Sequence, residues 1–277
     1  MNKWLKPLGL LAFIILVCSV LVRVLTSGET LSEYADTNPE IAYAPPSQTP
    51  SPSPIPEASA LPSETPEVSN GIQYKDGFFY QPLTDDVIAR ITGISYPVSD
   101  NEASSPAVSY EDLRYMNVLY YDFNGEVQIG ELICNQGIAQ DLVEIFYELY
   151  RNEYQIEKIR LIDEYDGDDT ASMLDNNTSC FNYRVVDGTD SLSKHAIGCA
   201  IDINPFYNPY VVFNKDGSGK TYISPEGSEI YADRSQDFPY KIDENDLCYK
   251  LFKEHGFIWG GDWNSCKDYQ HFQKTIQ

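Results

Sequence analysis

With 277 residues the chain has room for one domain plus appendages or for two small domains. A formal net charge of −23 at pH 7 argues against a nucleic-acid partner, because 19 Lys and Arg against 42 Asp and Glu leave nothing to neutralise phosphates. Six cysteines form no C-x-x-C pair, which removes support for a structural zinc ribbon.

The N-terminus opens with Lys3 and Lys6, then an uncharged apolar run over residues 8–22, then Arg23. Basic residues before such a run hold the N-terminus in the cytoplasm and send the rest of the chain outward. The run is short for a bilayer span, but Trp4, Lys6 and Arg23 extend it by sitting at the interfaces. Val24-Leu-Thr-Ser-Gly28 is a poor cleavage site, and Cys18 lacks the small preceding residue of lipoprotein processing. The pattern therefore favours a single-pass signal anchor with flanks over residues 1–28 and the remainder extracytoplasmic; if the signal is cleaved, the protein is secreted. Residues 29–70 are dominated by Pro, Ser, Thr and Glu and bury too little apolar surface to fold, so they are expected to be an extended linker.

Beyond the linker, residues 74–80 suggest a small hairpin and 85–92 a short helix. Residues 71–116 are expected to form an extension packed on a catalytic domain over 117–277. Residues 118–123 and 127–134, joined by Asn124-Gly125, predict a hairpin with a tight turn. Leu142, Ile145, Phe146 and Leu149 fall on one face of an amphipathic helix over 138–150. A strand over 159–163, an acidic loop over 166–178 and a strand around 199–204 follow. Residues 206–233, rich in Asn, Gly, Pro and Tyr, predict an inserted hairpin or flap. A helix over 243–255 takes Asp243 as N-cap and ends at Gly256, before strands over 257–259 and 269–272. Strands with a few helices indicate an α+β domain with a mostly antiparallel sheet and flanking helices.

Two compact clusters carry the chemistry. Ser193-Lys-His-Ala-Ile-Gly-Cys-Ala-Ile-Asp202 offers His195 and Asp202; Asp268-Tyr-Gln-His-Phe272 offers Asp268 and His271. Two imidazoles and one carboxylate suit a catalytic Zn2+ with a fourth position left for water. The other carboxylate is then a base. A single histidine among apolar residues is more often a hydrogen-bonded core residue. Here two His and two Asp stand among apolar neighbours, and burying them unpaired would cost roughly several kcal/mol. The seven-residue step from His195 to Asp202 suits a loop-to-strand geometry rather than a zincin helix.

At these residues the chain resembles the zinc peptidases that cut peptidoglycan stem peptides, a group that includes VanY-like D-alanyl-D-alanine carboxypeptidases and L-alanyl-D-glutamate endopeptidases. Ser193, His195, Gly198, Ala200 and Asp202 match S-x-H-x-x-G-x-A-x-D; residues 256–263 match G-F-x-W-G-G-D-W; Asp268, His271 and Phe272 match D-x-x-H-F. The resemblance covers roughly residues 117–273. It implies a hedgehog/DD-peptidase-like fold, zinc on His195, Asp202 and His271, Asp268 as catalytic base, and bacterial peptidoglycan stem peptides as substrate; with the N-terminal anchor, the expected location is the bacterial cell membrane. Carboxypeptidase members usually carry E-x-W-H, so Asp268-Tyr-Gln-His271 and the G-G-D-W run favour the endopeptidase branch. The alternatives are a D-alanyl-D-alanine carboxypeptidase and an inactive wall-binding module.

The resemblance also places Arg184 against the substrate carbonyl or carboxylate, through paired hydrogen bonds; the other reading is a surface arginine paired with Asp187 or Asp190. Ser193 either hydrogen-bonds around the site and substrate or caps a turn. Trp259 and Trp263 either line the substrate cleft or pack in the core. Asp262 is a partner for a zinc-binding histidine or a turn residue, and His255 ends a helix. The five cysteines beyond the apolar run allow up to two disulfides, or none.

Overall fold

Short apolar alternation around Gly77 folds back on itself as β1 (Ile72–Lys75) and β2 (Phe78–Pro82), followed by helix α1 (Asp85–Ile91), whose Thr84 cap accepts from the Val87 amide. The structure, a computed structural model, describes residues 71–98, 106–186, 189–215 and 217–276. The expected membrane helix and Pro-rich linker lie outside the described residues, and none of the described helices is long and apolar enough to cross a membrane.

The longest strands, β3 (Leu113–Tyr121) and β4 (Val127–Asn135), complete a four-stranded antiparallel sheet in the order β1-β2-β3-β4. Residues 72–82 thus share one sheet with the expected catalytic region, and β3 begins five residues earlier than expected. The connection is wider than a two-residue Asn-Gly turn. Asp122 closes it by accepting from the amides of Asn124 and Glu126, and Gly125 adopts φ +77. Helix α2 (Gln136–Arg151) follows without a loop, because the Asn135 side chain accepts from the Gly137 amide at 2.9 Å. Its buried face carries Ile138, Leu142, Ile145, Phe146 and Leu149 into the main core with Met116, Val118 and Leu132 of the sheet. Each such side chain contributes about 1.5–3 kcal/mol on burial.

The middle of the chain departs from the expected pattern in two places. The strand expected over 159–163 shrinks to β5 (Lys158–Ile159), since Ile162–Tyr165 tightens into a 3₁₀ turn that ends with Asp166 at φ 54. The acidic loop contains helix α3 (Asp169–Leu174) and β6 (Asn177–Thr178). Asp168 caps the helix by accepting from the amides of Thr170 and Ala171, so the acids mark a helix start rather than a loop. β5 and β6 pair in parallel.

Next come β7 (Ala200–Asp202), β8 (Tyr210–Phe213) and β9 (Thr221–Ser224), the last two forming the hairpin expected in the insert. Helix α4 (Leu247–Glu254) starts later than expected: Asp246 caps it, while Asp243 accepts from Asn245 in the preceding turn. After it come β10 (Ile258–Trp259), β11 (Lys267–Asp268) and β12 (His271–Gln273). Two small antiparallel sheets result, β10-β12-β7 and β11-β8-β9. Phe252, Phe257 and Phe272 join them to the core beneath α2. The α+β class with antiparallel sheets and few helices is what the pattern predicted.

Candidate metal centre

Antiparallel pairing of β7 with β12 sets Asp202 directly opposite His271. The third residue arrives on a 3₁₀ turn, His195–Ile197, that ends at Gly198 with φ +67. A Cβ at Gly198 would lie 2.6 Å from the Asn135 nitrogen and 3.0 Å from the Cys134 carbonyl carbon. Glycine therefore serves both the left-handed backbone and the close approach to β4. Asn135 secures that approach, its amide donating to Gly198 O at 2.8 Å and its side chain to Ile197 O at 3.0 Å. Ser193 Oγ accepts from the His195 amide at 3.2 Å.

Donor atoms of His195, Asp202 and His271 converge within 4.8 Å of one another, and all three residues are buried. Asp202 Oδ1 stands 2.9 Å from His271 Nδ1, and Asp202 Oδ2 stands 3.3 Å from His195 Nε2. The two imidazoles approach through His195 Nε2 and His271 Nδ1, 3.2 Å apart. Their outer nitrogens have other partners. His195 Nδ1 faces the Cys180 carbonyl at 2.6 Å, and His271 Nε2 faces Gln273 Oε1 at 3.1 Å. An outer N–H donating to each oxygen leaves one lone pair per ring aimed inward, beside the carboxylate; that is the donor set a divalent cation requires.

The electrostatics agree. Burial alone would lower the His271 pKa, yet the hydrogen bond and charge of Asp202, with the charge of Asp268, raise it to about 9. Burial pushes the Asp202 carboxyl up, but the two imidazoles more than reverse this and hold it well below the usual carboxylate range. The cluster draws positive charge to its centre, as a proton or as a metal ion.

Asp268, at the end of β11, is raised to about 6 by burial; His271 works against that rise and the Asp202 charge adds to it. Its Oδ1 is buried with no hydrogen-bond partner. A buried carboxylate oxygen left unpaired beside the His–Asp–His cluster is costly in a purely structural role. Sequence reasoning thus named four residues that the fold brings into one electrostatic unit.

The other expected site residues are placed less uniformly. Arg184 pairs with Asp169 of α3 at 2.8 Å rather than with Asp190, and its Nε is buried without a partner; Asp187, its other expected partner, lies outside the described residues. Its carbonyl accepts from the Ser193 amide at 3.0 Å. Arg184, Ser193 and His195 therefore form one backbone-linked series, with Ser193 buried at its middle. Trp259 is a core residue: its ring packs against Tyr249, Tyr269 and Phe272, and its N–H donates to Tyr269 O. Trp263 instead places its ring 5.3 Å from that of His271. Asp262 pairs with Lys253 at 3.0 Å rather than with His195 or His271, while His255 caps α4 beside Asp141. Cys134, Cys180, Cys199, Cys248 and Cys266 are all free thiols. Gln273 was missed; only its place two residues after His271, on the same face of a strand, hints at it.

A buried His–Asp–His cluster on paired antiparallel strands, with a carboxylate beside it, has the donor set of a metal-dependent hydrolase. Residues 187–274 match the family model described as D-alanyl-D-alanine carboxypeptidase. All three motifs lie inside the match. No curated protein and no solved structure matches the chain.

Proposed function

We propose that this protein is a zinc-dependent peptidase acting on peptidoglycan stem peptides. The observation that carries this reading is the convergence of His195, Asp202 and His271 beside Asp268, within a region matched by a peptidase family. His195 Nε2, an Asp202 oxygen and His271 Nδ1 would hold the ion. When bound, zinc supplies Lewis acidity and makes a water acidic enough to ionise near neutral pH. Asp268 takes the proton of the attacking water and returns it to the departing amine. Arg184 offers a guanidinium to a substrate carbonyl or carboxylate by exchanging its Asp169 partner. Ser193 holds the His195 backbone, and Trp263 is better seated than Trp259 to meet substrate.

Within this reading we favour cleavage between L-alanine and D-glutamate, because Asp268-Tyr-Gln-His271 and the G-G-D-W run resemble the endopeptidase branch. The description of the matched family favours a second reading, removal of a terminal D-alanine. A catalytic domain tethered outside the cytoplasm by residues 1–28 and a linker over 29–70 fits either substrate. Zinc content by elemental analysis, with mass spectrometry of digested muropeptides, tests all three possibilities. Fragments split after L-alanine support the endopeptidase; release of single D-alanine supports the carboxypeptidase. Intact muropeptides with a zinc-loaded protein point to an inactive wall-binding module.

A further inference from the structure

Two adjacent glycines, Gly260 and Gly261, form a 3₁₀ turn directly after β10, and both are buried. Neither has a positive φ, so backbone freedom does not explain them. Space does. A Cβ on Gly260 would lie 2.5 Å from the backbone carbonyl oxygen of Asp268 and 2.7 Å from the Asp268 Cβ. A Cβ on Gly261 would instead meet the Trp259 indole at 2.3–2.5 Å. The first collision is with backbone and the root of a side chain, which cannot swing aside as a flexible tip can.

A second tie joins the same segments. Lys267, the residue before Asp268, donates from Nζ to the Gly261 carbonyl at 2.8 Å. On the far side, β11 is held by its pairing with β8, Asp268 opposite Tyr210. Asp268 is thus gripped between β8 and the glycine turn.

We propose that the Gly260-Gly261 turn is the seat of Asp268: Gly260 and Lys267 are positioning residues that fix the base relative to His271 and Asp202. The inference rests on the reading of Asp268 as base. Displacing such a group by about 1 Å costs on the order of 100-fold in rate. A methyl group at position 260 demands a shift of that size, since ordinary carbon–oxygen contacts begin well beyond 2.5 Å.

The test uses the full-length protein and the variants Gly260→Ala, Lys267→Met and Gly261→Ala. Turnover of muropeptides, zinc content, thermal midpoint and carbon-13 titration of the Asp268 carboxyl in the metal-free protein are compared. For Gly260→Ala, kcat falls about 100-fold with KM and zinc content retained, and the Asp268 titration midpoint moves. Lys267→Met, which introduces no collision, moves both in the same sense by a smaller factor and keeps the inference testable if Gly260→Ala fails to fold. Gly261→Ala lowers the thermal midpoint through Trp259 without moving the Asp268 titration. The inference is overturned if Gly260→Ala and Lys267→Met both keep the wild-type titration midpoint. The carboxyl titration needs no activity, so a wild-type protein that cleaves nothing would sink the peptidase reading while leaving the seating of Asp268 measurable.

Discussion

Asp202 Oδ1 and His271 Nδ1 stand 2.9 Å apart because β7 and β12 pair antiparallel with these two residues in register. A one-residue slip of β12 would turn His271 to the opposite face and put Phe272 in its place. Phe272 is fully buried, stacked on Phe252 at a ring separation of 4.3 Å. The hydrophobic core therefore enforces the register that makes the site.

His271→Ala should remove one of three inward donors, and zinc bound per chain should fall from about one to near zero by elemental analysis. Asp268→Asn should keep the zinc, because it leaves all three donors intact. The amide accepts no proton, so turnover should drop by about 10²–10⁴-fold. Asp268→Asn turnover near the wild-type rate would remove Asp268 from the role of base.

Metal binding should also release a proton. In the metal-free chain His271 is held up at about 9, so at pH 7 its imidazole carries a proton that a ligand must lose. Zinc affinity should then weaken as pH falls from 9 toward 6. Calorimetry in buffers of different ionisation enthalpy should report about one proton released per zinc at pH 7. No buffer dependence would mean that the ring is already neutral.

Gln273 should tune the ion without touching it. Its Oε1 fixes the outer N–H of His271, which directs the Nδ1 lone pair inward. Gln273→Leu removes that acceptor at similar volume and should weaken zinc binding by about 10–100-fold in competition with a chelator. Gln273→Glu, which retains an acceptor, should recover most of the loss. Equal affinities in all three proteins would show that the ring orientation is set elsewhere.

The site was more legible in the sequence than the fold around it. Ligand types and their order along the chain survive in one dimension, so His195, Asp202, Asp268 and His271 were readable before any geometry. Gln273 was not, since nothing marks a glutamine as the partner of a ring nitrogen. Asp168 shows why the middle of the chain was misread: an acidic cluster reads equally as a solvated loop or as a helix cap, and only the amides of Thr170 and Ala171 decide. Trp259 and Trp263 have similar sequence surroundings, yet one lies in the core and the other beside His271. The Gly261 contact with Trp259 separates them, and that contact exists only in three dimensions.

Asp246 offers a prediction independent of the metal. It caps α4, with Oδ2 accepting from the Cys248 amide at 2.9 Å and from the Tyr154 hydroxyl at 3.1 Å. Burial nevertheless raises its pKa to about 6, outweighing these bonds. The unfolded value is near 3.9, so the folded chain holds this proton more tightly than the unfolded chain does. Stability from this group is full below about pH 4 and is lost as pH rises through 6. The loss at pH 8 is about 3 kcal/mol. Asn is a comparable cap and carries no charge to desolvate. In the presence of chelator, Asp246→Asn should therefore raise the denaturant midpoint at pH 8 and leave it close to wild type at pH 4. A variant less stable than wild type at pH 8 would mean that the carboxylate's charge strengthens the cap by more than its burial costs.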